Sequence, residues 1–123
     1  MARKPLAEAQ WRLLRDEMRE VMVETARQGQ LITYSEMCAQ LKTAYLHYHS
    51  PQIVKLLDEI GSIEHEAGRP ILPAVVVGKQ SGIPGAGYFR LAGVEHGDAE
   101  GSFDPKANWE ADLAAVFDYW STH

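Results

Sequence analysis

Apolar side chains return at three- and four-residue intervals from Trp11 through Leu14, Met18, Val21 and Met22 to Thr25. Arg12, Arg15, Glu17 and Glu20 fall on the opposite arc. That spacing predicts an amphipathic helix over 6–28, ended by Gly29 in the left-handed C-terminal position. Leu31-Ile32 reads as a short extended step. Thr33-Tyr34-Ser35-Glu36 then fits a capping box, in which the Thr33 hydroxyl and the Glu36 carboxylate each satisfy the other's free backbone amide. A second helix over 34–42 follows, with Met37, Cys38 and Leu41 inward. After a turn rich in Tyr and His at 43–49, Ser50-Pro51 starts a third helix, serine as cap and proline at the first helical position. Its apolar positions are Ile53, Val54, Leu56, Leu57, Ile60 and Ile63, and it ends at Gly68.

Beyond Arg69-Pro70 the pattern changes. Ile71–Val77 is rich in β-branched residues and predicts a strand, 78–87 supplies glycine-rich turn chemistry, and Tyr88-Phe89-Arg90-Leu91 returns as a second strand. Asp104-Pro105 starts a last helix with Trp109, Leu113, Val116, Phe117 and Trp120 on one stripe. The order predicts an α/β (α+β) fold in one domain, 1–123. Its core is winged helix-turn-helix-like, with a β-hairpin wing and flanking N- and C-terminal helices.

Charge refines this picture. The formal net charge is −5, yet residues 31–90 hold five acids and five bases. Beyond residue 90, seven acids face one lysine. Bulk attraction to phosphates is therefore weak, and the central segment neither repels nor strongly draws a polyanion. Cys38, the only cysteine, has no internal disulfide partner, which fits a reducing compartment. The N-terminal residues lack a signal peptide's apolar core, and the 71–77 run is too short to span a bilayer. A cytoplasmic protein with no membrane partner is the expectation.

Leu31-Ile32-Thr33-Tyr34-Ser35-Glu36, the helix from Ser50 to Gly68, and Ile71-Leu72-Pro73-Ala74-Val75-Val76-Val77 followed by Gly82 and Gly85 together carry a likeness. Residues 31–91 resemble the C-terminal DNA-binding domain of O6-alkylguanine-DNA alkyltransferases and the alkyltransferase-like proteins. The first stretch is similar to that family's "TTYG" segment, the helix to its recognition helix, and the last to its "PCHRVV…G" segment. The resemblance implies DNA binding by a winged helix. It does not imply alkyl transfer, because Ala74, Val75 and Val76 stand where the family has Cys-His-Arg, and Cys38 belongs to a different helix. The arginine with which alkyltransferase-like proteins bind damaged DNA also has no counterpart. Gln52 and Lys55 occupy the face of the third helix expected to be exposed.

The expected function is accordingly non-enzymatic nucleic-acid binding, with Gln52 and Lys55 from the third helix and Lys79, Gln80, Ser81 and Arg90 from the wing as contacts, and with no cofactor, metal or catalytic residue. The first alternative is a regulatory protein-interaction module that keeps the fold without the DNA surface. Its partner, or a second copy, would dock on the C-terminal helix, whose Glu110, Asp112 and Asp118 form an acidic outer face. The second alternative is a small hydrolase built on His47, His49, His65 and Glu64. No zinc spacing fits these, and consecutive Glu64-His65-Glu66 spread around a helix, which favours solvated or capping roles. Residues 78–87 read as a hairpin tip in preference to a phosphate loop, because Pro84 interrupts them and Tyr88-Phe89 follows instead of a helix N-terminus. Tyr45 and Tyr48 could stack on unpaired bases with His47 and His49; closure over the core is the preferred reading.

Overall fold

A computed structural model of the chain describes residues 7–48, 50–85, 88–89 and 105–123, with side chains of the last helix from residue 107. The elements are α1 (Glu8–Arg27), β1 (Ile32–Thr33), α2 (Tyr34–Ala39), α3 (Pro51–Glu66), a 3-10 turn (Leu72–Val75), β2 (Val76–Val77) and α4 (Pro105–Trp120). The fold is helix-rich α+β with one two-stranded sheet among the described residues. Among those residues no helix is long and apolar enough to cross a membrane.

The helix starts follow the sequence. Glu36 N–H donates to the Thr33 hydroxyl at 3.1 Å and Thr33 N–H to the Glu36 carboxylate at 3.0 Å. Gln52 N–H donates to Ser50 Oγ at 3.2 Å, with Pro51 opening the helix. α2 is shorter than its pattern predicts. After Ala39 the Gln40 and Leu41 amides close on the Met37 and Cys38 carbonyls, and Lys42 and Thr43 N–H donate to the Glu17 carboxylate of α1 at 2.8 and 3.0 Å.

The largest correction concerns 71–91. Ile71–Val77 is buried on every side, packed against α1, α3 and α4, so it carries no alternation to reveal its conformation. Pro73 lacks a donor and suits the 3-10 turn. The buried Ala74 carbonyl accepts the Trp109 indole N–H at 2.9 Å, a bond that an antiparallel ladder would otherwise supply. Within this segment only Val76–Val77 forms a strand, and it pairs in parallel with β1, Ile32 opposite Val76 and Thr33 opposite Val77. Tyr88 and Phe89 do not form a returning strand. Both amides point to the Gly85 carbonyl, in a helical turn. The described residues therefore form no antiparallel hairpin here, and Arg90 and Leu91 lie outside them.

α1 contributes Leu14, Met18, Met22, Val23 and Ala26 to the core, and α3 contributes Ile53, Leu56 and Ile60. Three positions differ from expectation. Val54, placed inward by pattern, is exposed, because the 3-10 turn and α1 cover the neighbouring face of α3. Glu64, expected in solvent, is fully buried and bonded to Arg19 Nε and Arg69 Nε, each at 2.6 Å. Asp112, expected on an acidic outer face, is buried and accepts the Tyr88 hydroxyl at 2.5 Å. The α4 stripe is spent internally too: Trp109, Val116 and Trp120 are core residues, with Leu113 and Phe117 packed against them.

Candidate functional site

The parallel pairing of β1 with β2 brings the start of α2 beside the glycine-rich loop after β2, and α3 packs across from both. A groove of about 800 Å³ opens between them, within the size range of small-ligand clefts. Ile53, Val54 and Leu57 of α3, with Pro73, give it an apolar floor. Thr33 and Ser35 edge it from the start of α2, Tyr48 and Ser50 from the approach to α3, and Lys79, Gln80 and Ser81 form the opposite lip.

The lip is held by local bonds. Gly78 N–H donates to the Ile83 carbonyl and Gly82 N–H to the Gly78 carbonyl, both at 2.9 Å, while Ile83 N–H donates to Ser81 Oγ at 3.3 Å. Gly82 closes this turn at φ +70°, a conformation that glycine adopts without strain. The far end of the loop is tied to α2, where Gly85 N–H donates to the Tyr34 hydroxyl at 2.7 Å. A Cβ on Gly85 would stand 3.0 Å from that oxygen, so the approach is as close as glycine permits. Burial pushes the Tyr34 hydroxyl pKa up, against the opposing pull of the Gly85 amide. Tyr88, on the loop's last described turn, is pushed up by burial and by its bond to Asp112. Both tyrosines are neutral at physiological pH.

Charge in the groove is balanced. Lys79 is the only cation among the described lining residues and Asp58 the only carboxylate. Glu36, just outside, is held below the ordinary carboxylate range chiefly by the Thr33 amide, with Lys79 adding a smaller pull. The tyrosine-rich turn is less buried than expected. Tyr45 is 80% exposed and Tyr48 44%, and Leu46, at 3%, closes the core in their place. The Tyr48 ring stacks on His47, centroids 4.5 Å apart.

Of the residues singled out by sequence, Lys79, Gln80 and Ser81 come together on the lip. Gln52 lies in the first turn of α3 beside Ser50, outside the lining, and Lys55 is exposed on a neighbouring face of the helix. Arg90 and His49 lie outside the described residues. His65 is exposed while Glu64 beside it faces the core, and His47 stacks behind Tyr48 at the groove rim, so Glu64, His47 and His65 do not converge. Among the described residues no three His, Cys, Asp or Glu side chains are placed to hold a metal ion. Cys38 is buried, which raises its thiol pKa. Sequence reasoning missed Tyr34, Val54 and Asp58. Helical spacing puts 50, 54 and 58 on one face of α3, and that signal was available; Tyr34 reaches the loop only through the non-local β1–β2 pair. No family model, curated protein or solved structure matches the chain.

Proposed function

We propose that this chain is a non-enzymatic nucleic-acid-binding protein that uses α3 and the glycine-rich loop after β2, and that the groove between them receives a base. The observation that carries this reading is the groove itself: an apolar floor, an aromatic rim at Tyr48 and a lip of Lys79, Gln80 and Ser81. The floor and ring suit the face of a base, and the lip suits a phosphate or sugar oxygen at the edge. The resemblance of residues 31–91 to the alkyltransferase DNA-binding domain points the same way. Pro73 reaches the groove, and the next residue, where that family carries its reactive cysteine, is Ala74, fully buried. The reading therefore assigns binding without alkyl transfer.

A second reading, a protein-interaction module, is favoured by the cancelling charges of Lys79 and Asp58 and by the exposed Val54 and Ile83. A gel shift with mixed duplex and unpaired DNA at low ionic strength separates the two. A complex weakened by Val54→Glu, which sets a carboxylate at the groove mouth, supports nucleic-acid binding. No complex at all removes that reading and leaves the protein partner.

A further inference from the structure

The walls of the groove discriminate between two ways of holding a nucleic acid. We infer that the groove selects unpaired nucleotides over duplex, with the rings of Tyr48 and Tyr45 as the stacking surface, an inference that rests on the proposed nucleic-acid binding.

A protein that grips duplex draws most of its non-specific affinity from several cations set along the phosphates. Here Lys79 is the only cation among the described lining residues, and Asp58 opposes it. The groove face of α3 presents Val54 and Asp58, an apolar side chain and a carboxylate, where a duplex would bring phosphates. Stacking on a base face needs no such charge, and every base offers a face once it is unpaired.

The turn that carries the rings is fixed in advance. Glu17 takes both the Lys42 and Thr43 amides at 2.8 and 3.0 Å, Leu46 anchors the middle in the core, and the His47 carbonyl accepts Ser50 N–H at 2.8 Å. Tyr45 and Tyr48 lie on either side of the buried Leu46, and both rings are presented to solvent. His47 backs the Tyr48 ring at 4.5 Å. Tyr48 itself lines the groove, so a strand stacked there continues over the apolar floor towards the Lys79 lip.

The test is fluorescence anisotropy with labelled oligo-dT, oligo-dA and oligo-U of about 12 nucleotides, beside a duplex of the same length. Unpaired strands should bind at least about tenfold more tightly than duplex, either sugar supporting the inference. Affinity should fall only about 3- to 7-fold between roughly 50 and 200 mM salt, as one or two neutralised phosphates require. Tyr48→Ala should weaken binding roughly 5- to 150-fold, whereas Tyr48→Phe, which keeps the ring, should not. Leu13→Ala, on the exposed face of α1, serves as a control and should bind like the parent. Duplex binding as tight as the unpaired strands, or no response to Tyr48→Ala, overturns the inference while leaving nucleic-acid binding in place. No binding to any of the four at low salt overturns both.

Discussion

The side of the molecule where α1, α3 and α4 meet and the side that opens as the groove draw on the same residue types and use them in opposite ways. On the packed side, most enclosed polar groups are matched, although the Trp120 indole N–H and Arg15 Nε are buried without a hydrogen-bond partner among the described residues. Glu64 sits between Arg19 and Arg69, Glu59 takes the Trp11 indole N–H at 2.7 Å, and Trp109 satisfies the Ala74 carbonyl. On the groove side, the hydroxyls of Thr33, Tyr34, Ser50 and Ser81 hold the backbone in place, while the Tyr45 and Tyr48 rings and the Lys79 and Gln80 side chains reach solvent. A carboxylate or an aromatic stripe thus says little by itself about function; what matters is whether its bonding is already complete inside the fold.

The comparison predicts that changes on the packed side cost stability and leave the groove alone. Glu64→Ala should have the largest effect. It strands two partly buried guanidiniums, and chemical denaturation should register a loss of about 3 kcal/mol. Burial pushes the Glu64 carboxyl up, but the bonds to Arg69 and Arg19 outweigh this and hold it below its ordinary value of 4.5. Its contribution is therefore complete above that pH and is lost as pH falls through the depressed value. Glu64→Gln should flatten the acid limb of the stability curve. An unchanged acid limb would show that Glu64 protonation is not coupled to folding.

Trp109→Phe comes next. It leaves the Ala74 carbonyl buried without its donor, at a cost of about 1–3 kcal/mol, seen as a lower denaturation midpoint. Gly82→Ala, on the groove side, forces a side chain into φ +70° and should cost roughly 1 kcal/mol. It should also disturb binding more than Trp109→Phe does, measured on folded protein. Val54→Glu is the smallest in stability, within about 0.5 kcal/mol because the site is exposed, yet it should be among the most damaging to binding. If stability and binding fell in the same order through this series, the two sides would not be distinct.

Local signals made much of the fold legible. The Thr33/Glu36 box, the Ser50-Pro51 start and the apolar spacing of α1 each act within a few residues, and each stands as the pattern predicts. Residues 71–77 were not legible, because a segment enclosed on all faces shows only a run of apolar residues, common to a strand and a buried turn. The β1–β2 pair, the Glu64 cluster and the Tyr88–Asp112 bond join positions far apart in the chain, and no local spacing announces them. The candidate site was half visible: Lys79, Gln80 and Ser81 stand out as polar turn residues, while the opposite wall depended on which face of α3 the 3-10 turn would cover.

The most direct test is backbone amide NMR during titration with a short unpaired oligonucleotide. Shifts should concentrate at Thr33–Ser35, Tyr45–Val54 and Gly78–Gly85 and leave the Arg19–Glu64–Arg69 cluster in place. Shifts centred on the outer faces of α1 or α4, with the groove amides unmoved, would contradict the assignment of the groove as the binding face.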